Sequence, residues 1–231
     1  MEIEILEFVE GANKATGIVV IIDVFRAFSV ACYAFDAGAS RVITTAEVEN
    51  AFELKKRYPY SVLAGERKEK KIEGFDFGNS PTEIIRADIK GKVFIHTTSA
   101  GTQGLAGAVN AETVITGSLV NAGAVSRYIS SLKPHHVSLV AMGYRASISA
   151  DEDLLCAELI ASHLTGKDSV SEERIGNLMH TSGKRFFDPS NINFSPPADF
   201  FLCTMVDKFD FVLKAVRRPD GNIELFRIEE E

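Results

Sequence analysis

Carboxylates, arginines and hydroxyl-rich glycine turns recur where short apolar runs of this chain end. The run "GIVVIID" ends on Asp23, with Arg26 shortly after it. "SVLAGE" delivers Glu66 and Arg67, and "KVFIHTT" leads through Thr97, Thr98 and Ser99 to Gly101 and Thr102. "TVITGS" is followed by Asn121, and "HVSLVAMGYR" by Asp151, Glu152 and Asp153, after its own Tyr144 and Arg145. Carboxylates hold Mg²⁺ together with its waters, arginines fork onto phosphate or carboxylate oxygens, and helix N-termini present N–H donors. If the runs are parallel neighbours, these groups share one rim, beyond the carboxyl ends of the strands, where ligands of open α/β sheets bind. That chemistry suits a small phosphate ester bound through a divalent cation.

Each group also has a plainer use. Asp23 can cap the helix that follows it, although a charge between apolar segments is expensive to leave unpaired. "HTTSAGTQGLAGAV" can be a capped helix, and it lacks the lysine of a Walker loop. Ser149 and Glu152 fit a capping box, which leaves Asp153, at the head of the apolar stripe Cys156, Ala157, Ile160 and Leu164, as the preferred site acid. No histidine has metal-site spacing, and His96 reads as a core residue.

Several phosphatase chemistries are excluded by spacing. No cysteine is followed six residues on by arginine, Asp23-Val24-Phe25 breaks the D-x-D pattern, and no Arg-His-Gly triplet occurs. Metal-assisted hydrolysis remains, with carboxylate attack by Asp23 as the alternative.

The elements that must carry these groups alternate. Six β-branched runs, "GIVVIID", "RVITT", "SVLAGE", "KVFIHTT", "ETVITGS" and "HVSLVAMG", are each followed by a helix-compatible stretch, which predicts an α/β architecture. Two C-terminal stretches, "SEERIGNLMHTSGKRFF" and "PPADFFLCTMVDKF", read as helices, and "FVLKAVRRPDGNIELFRIEE" as a β-hairpin. The expected fold is a three-layer α/β/α domain spanning residues 1–231, with a mixed, largely parallel sheet and a division into two lobes that the sequence does not place. The 231 residues, 45% hydrophobic and 25% charged, suffice for one large core. A net charge of −7 argues against a nucleic-acid binder, and no apolar run is long enough to cross a membrane. The three cysteines show no paired spacing and acidic residues mark the N-terminus, so a reducing cytoplasm is expected. Assembly is left open, a homodimer included.

The segment "GERKEKKIEGFDFGNSPTE" combines these signals. Ser80 to Glu83 fit a capping box with proline at the first helical position, so the segment is expected to end by starting a helix. In an extended 75–78, Phe75 and Phe77 would face one way and Asp76 the other, towards the rim. Lys68 to Lys71 read as a solvated excursion.

The blocks "IDVFRA" (22–27), "AGER…EGFDFGNSP" (64–81), "TTSAGT" (97–102), "GSLVNA" (117–122) and "SADEDLLCA" (149–157) resemble the 2-phosphosulfolactate phosphatase family, in the family's order. Here Ser-Ala-Gly-Thr follows the paired threonines in place of Asn-Gly-Thr. The resemblance implies Mg²⁺-dependent conversion of 2-phosphosulfolactate to sulfolactate and phosphate, towards coenzyme M. It leaves two alternatives, another phosphorylated three-carbon acid as substrate or a non-catalytic module binding an anionic metabolite. The expected catalytic residues are Asp23, Glu66 and Arg26, and the expected metal ligands Asp23, Asp76 and Asp153. Arg67, Asn79, Thr98, Ser99, Gly101, Thr102, Asn121 and Arg145 are expected to hold the substrate.

Overall fold

The six apolar runs all form strands. In the computed structural model, which describes residues 1–167 and 170–229, they are β2 (Gly17–Ile22), β3 (Arg41–Thr44), β4 (Val62–Arg67), β6 (Val93–Thr97), β7 (Ala111–Gly117) and β8 (His136–Ala141). Every residue of β2 is buried. Burying each Val or Ile is worth about 1.5–3 kcal/mol, which fixes this run in a strand covered on both faces. Four further strands complete the sheet: β1 (Glu2–Glu7), the short β5 (Lys70–Lys71), and the terminal hairpin β9 (Phe211–Arg217) and β10 (Ile223–Glu229).

Helices on both faces connect the strands. They are α1 (Phe8–Lys14), α2 (Ala27–Asp36), α3 (Val48–Arg57), α4 (Pro81–Ile84), α5 (Gly101–Gly107), α6 (Ala122–Leu132), α7 (Asp151–Thr165), α8 (Glu172–Asn177) and α9 (Pro197–Cys203). The stretch expected as one helix over 171–187 is broken: after α8 it runs as separate 3₁₀ turns, Leu178–His180 and Ser182–Phe187.

Strand order is β1-β8-β2-β7-β9-β10-β3-β6-β4-β5. The C-terminal hairpin is therefore wedged into the middle, between two parallel wings. Three successive antiparallel pairings separate β7 from β3, so the wings run in opposite senses. In a flat sheet their carboxyl ends would lie apart. Here they meet, since the Gly101 amide, just beyond β6, donates to Asp23 at the end of β2 (2.8 Å). The sheet must curl, and its concave side closes on α2 and α5. Val19 and Ile21 of β2 share an apolar cluster with Val42, Val62 and Phe94 of the other wing and with Phe28 and Leu105 between them.

Two close contacts bring the wings' ends to their positions. At Gly65 a Cβ would lie 2.1 Å from the Thr97 carbonyl oxygen, so only glycine lets β4 approach β6 here. Ser80 caps α4 by accepting from the Glu83 amide (3.4 Å), with Pro81 at the first position. Glu83 does not complete the box; its carboxylate accepts from the Gly78 amide (2.6 Å) instead. The expected pairing of Phe75 and Phe77 on one side also fails. Phe77 bridges Ala64 and packs with the concave cluster, whereas Phe75 joins the cluster under α3 with Leu63 and Ile95.

Candidate active site

A small cavity of about 40 Å³ opens where the carboxyl ends of the two wings converge. Its wall holds Asp23, Arg26, Glu66, Asn79, Arg145 and Arg185, with further groups from Glu69, Ser99 and Tyr144. Carboxylates and guanidiniums thus face one small space.

The two inner carboxylates are fixed by backbone amides. Asp23 accepts from Ala27 N at the start of α2 (3.0 Å) and from Gly101 N at the start of α5 (2.8 Å). Glu66 accepts from Ser99 N (2.6 Å), Ser99 Oγ (3.1 Å) and Glu69 N (2.7 Å). The hydroxyl-glycine turn therefore receives the protein's own anions. Its donors at Ser99 and Gly101, expected to hold substrate phosphate, are engaged by Glu66 and Asp23 instead. Thr98 and Thr102 bond reciprocally to one another, side chain to backbone, and serve to lock the turn.

Burial pushes the Asp23 carboxyl up to about 6, with the nearby Glu66 and Glu152 charges adding to the rise. Asp153 and Glu152 are raised by the same cause, desolvation first. The expected capping box at α7 is absent. Ala150 stands at the cap position, and Glu152 turns inward to become almost fully buried with its Oε2 unpartnered. Asp153 points inward as expected, but does not line the cavity. Its two oxygens accept from Val24 N (2.7 Å) and Gly143 N (2.8 Å), clamping the ends of β2 and β8 together.

Arg26 is buried, and its Nη1 donates to Asp199 Oδ2 (2.6 Å) and the Phe194 carbonyl (2.7 Å). Asp199 also accepts from Ser80 Oγ and Thr82 N, so a single carboxylate ties Arg26 to α4. Asn79 accepts from His96 Nε2 (3.0 Å), which leaves its Nδ2 donors for a ligand. Burial drives His96 down to about 3, so this ring is neutral and acts as a brace. Arg145 is exposed at the rim, 4.9 Å above the Tyr144 ring.

Three expected site residues stand elsewhere. Arg67 donates to the carbonyls of Glu66 and Ala46 and to Thr97 Oγ1, bracing strand ends. Asn121 is fully buried, where it accepts from Ser118 N and donates to the Phe211 carbonyl. Asp76 accepts from Leu63 N (2.8 Å) and faces Lys55 (3.7 Å), away from the cavity. Asp76→Ala is accordingly expected to leave kcat/KM within about twofold and to cost about 1 kcal/mol of stability, the worth of its hydrogen bond. Steady-state kinetics and denaturant melts of the variant check both figures.

The metal ligands expected from sequence, Asp23, Asp76 and Asp153, do not converge. Among the described residues no three His, Cys, Asp or Glu side chains form a metal cage. Mg²⁺ does not require one; it retains waters and takes one or two carboxylates plus substrate phosphate. Asp23 and Glu66 meet that demand, since both Asp23 oxygens and Glu66 Oε1 accept a single N–H bond and retain a lone pair, whereas Glu66 Oε2 already accepts two bonds. The crowd of raised, buried acids around them is an environment that a divalent cation would relieve.

Residues that sequence reasoning missed come from the irregular C-terminal third. Arg185 lies in a 3₁₀ turn, and Asp199 in the first turn of a short helix; neither follows an apolar strand. A basic pair directly before two phenylalanines, "KRFF", is the available signal.

A family model described as 2-phosphosulpholactate phosphatase matches residues 4–216. A protein of Carboxydothermus hydrogenoformans is 41% identical, with 99% of this chain and 96% of that one covered. One from Caldanaerobacter subterraneus subsp. tengcongensis is 37% identical (85% and 86% covered), and one from Bacillus subtilis 33% (88% of each). All three carry the name probable 2-phosphosulfolactate phosphatase. This chain belongs to the 2-phosphosulpholactate phosphatase family, a family of phosphoric monoester hydrolases.

Proposed function

We propose that the cavity hydrolyses the phosphate monoester of a small anionic hydroxy acid, foremost 2-phosphosulfolactate, to sulfolactate and phosphate, on the route to coenzyme M. The observation that carries this reading is the meeting of Asp23 and Glu66 with the guanidiniums of Arg26, Arg145 and Arg185 around one small space. An anion binder alone gains nothing from two carboxylates in its wall. A substrate with phosphate, sulfonate and carboxylate groups needs several cations, because each unpaired desolvated charge costs several kcal/mol.

Each side chain has a role consistent with its bonds. Arg26, locked by Asp199, offers the rest of its guanidinium to the phosphoryl oxygens. Asn79 donates from Nδ2, and Arg145 meets an acid group at the rim. Asp23 and Glu66 would hold Mg²⁺, which when bound polarises the phosphoryl group and activates water. Both Asp23 oxygens are tied to backbone amides, an arrangement that favours holding a cation and orienting water over attack on phosphorus. Among the described residues no helix is long and apolar enough to cross a membrane. All three cysteines are free and buried, which supports a reducing, cytoplasmic setting.

Metal removal tests the reading. Chelation is expected to lower phosphate release from 2-phosphosulfolactate by about 100-fold or more, the equivalent of several kcal/mol of Lewis-acid stabilisation, and Mg²⁺ to restore it. Release that persists at the full rate in chelator would remove the metal from the account. The second reading, a non-catalytic binding module, predicts ligand-dependent thermal stabilisation with no phosphate released under any divalent ion.

A further inference from the structure

The wall of the cavity includes a residue of the segment expected to be solvated. Lys68, Lys70 and Lys71 are exposed, but Glu69 folds back between them, its side chain 20% exposed. Its Oε2 accepts from the Tyr144 hydroxyl (3.1 Å), and its Oε1 lies 2.9 Å from Arg185 Nε. Glu69 thus bridges the loop after β8 to the 3₁₀ turn that carries Arg185.

Two features set this pair apart from Arg26 and Asp199. The 2.9 Å approach is an ion pair without hydrogen-bond alignment, and Glu69 Oε1 and Arg185 Nε are both buried without a hydrogen-bond partner. Asp199, in contrast, accepts three well-formed bonds. Glu69 also sits in a two-residue turn between paired Arg67 and Lys70, with φ of +55° at Lys68 and +69° at Glu69. Both values are left-handed, as in a type I′ hairpin turn, where Asn-Gly is the comfortable sequence. Strained backbone of this kind persists where the position of the side chain matters.

Arg185 itself is built to stay in place. It lies between the rings of Phe25, Tyr144 and Phe186, 5.2–5.7 Å from their centroids, and donates to the carbonyls of Phe25 and Ser182. The space that Glu69 and Arg185 line is about 40 Å³, enough for a few waters but not for a three-carbon ester with three acid groups. Substrate entry therefore requires something at the mouth to move. The element with the weakest hold is the Lys68–Glu69 turn, carried by a two-residue strand.

We propose that Arg185 anchors an acid group of the substrate, and that the Glu69 carboxylate is a resident stand-in which this group displaces as the Lys68–Glu69 turn swings out. The incoming oxyanion, whether phosphate, sulfonate or carboxylate, makes the aligned charge-assisted bond to Nε that Glu69 does not make. The proposal rests on the reading of this cavity as the substrate site. Glu69 then also acts as a filter, because only a ligand carrying an anion can open the mouth.

The test is a double-mutant cycle on anion binding, independent of turnover. Inorganic phosphate is titrated calorimetrically, in Mg²⁺ buffer, into the wild-type chain, Glu69→Gln, Arg185→Lys and the double variant, each checked by thermal melt. Loss of the internal competitor is expected to tighten phosphate binding at least fivefold in Glu69→Gln. Arg185→Lys is expected to weaken it at least tenfold, because lysine cannot reproduce the fork, and to cancel the gain in the double variant. Unchanged or weaker binding by Glu69→Gln, or a gain that survives in the double variant, would overturn the stand-in role alone. Absence of phosphate binding by all four proteins would overturn the reading of the cavity as well.

Discussion

Asparagine at position 23 is expected to lower phosphate release from 2-phosphosulfolactate by about 10²–10⁴-fold, the range seen when a group acting on the transition state is lost. Asp23 lies at the convergence of β2, α2 and α5, lines the cavity, and has its orientation set by two amides. Asn keeps the shape but loses the charge that would hold a cation. It also cannot accept from Ala27 N and Gly101 N through two oxygens, so one amide is left unpaired at a cost of about 1–3 kcal/mol. The variant must therefore be assayed well below its own melting temperature, with circular dichroism confirming the fold. A folded variant with turnover within a few-fold of wild type would remove Asp23 from the chemistry.

The largest stability effect is expected at Asp199, which makes no contact with the cavity. Asp199→Ala leaves the buried Arg26 guanidinium without its counter-charge and Ser80 Oγ and Thr82 N without their acceptor. Breaking a buried pair from one side costs about 3–5 kcal/mol, which for a chain of this size corresponds to a Tm lower by roughly 6–20 °C. Activity should fall with it, since Arg26 is then free to leave the wall. Asp199→Asn, which retains an acceptor, should lose less of both. A Tm within 2 °C of wild type for Asp199→Ala would show that the pair is not what holds Arg26.

How far the sequence reveals this molecule depends on the kind of signal each residue carries. The strands β2, β3, β4, β6, β7 and β8 were legible because "GIVVII" and its counterparts are β-branched and apolar, whereas the two-lysine β5 read as a solvated excursion. β1 was missed because "EIEILE" alternates acidic and apolar residues at a half-exposed edge. The terminal hairpin was legible from its Pro-Asp-Gly turn, but its insertion between β7 and β3 was not, because strand order depends on long-range pairing that leaves no local trace. That insertion reverses one wing, so the rim is formed by curling of the sheet rather than by neighbouring parallel strands.

At the site, Asp23, Glu66, Arg26, Asn79 and Arg145 are brought to one cavity, as residues at strand and loop ends should be. Asn121 and Arg67 look like ligands in sequence but satisfy buried or strand-end carbonyls and amides, and residue type alone cannot distinguish these uses. Asp153 was correctly read as facing inward, yet the backbone claims both of its oxygens. Glu69 was the opposite case. Flanked by lysines, it read as solvent-facing, and only the left-handed turn directs it inward.

The most direct measurement is a comparison of kcat/KM for phosphate release, with Mg²⁺ present, from 2-phosphosulfolactate and from a simple alkyl phosphate. Charge-assisted bonds to the additional acid groups are worth about 1.5–3 kcal/mol each. The account therefore predicts a preference of roughly 10²–10⁴-fold for the anionic ester. Equal rates on both esters, or no phosphate released from 2-phosphosulfolactate or any other phosphorylated three-carbon acid, would contradict it.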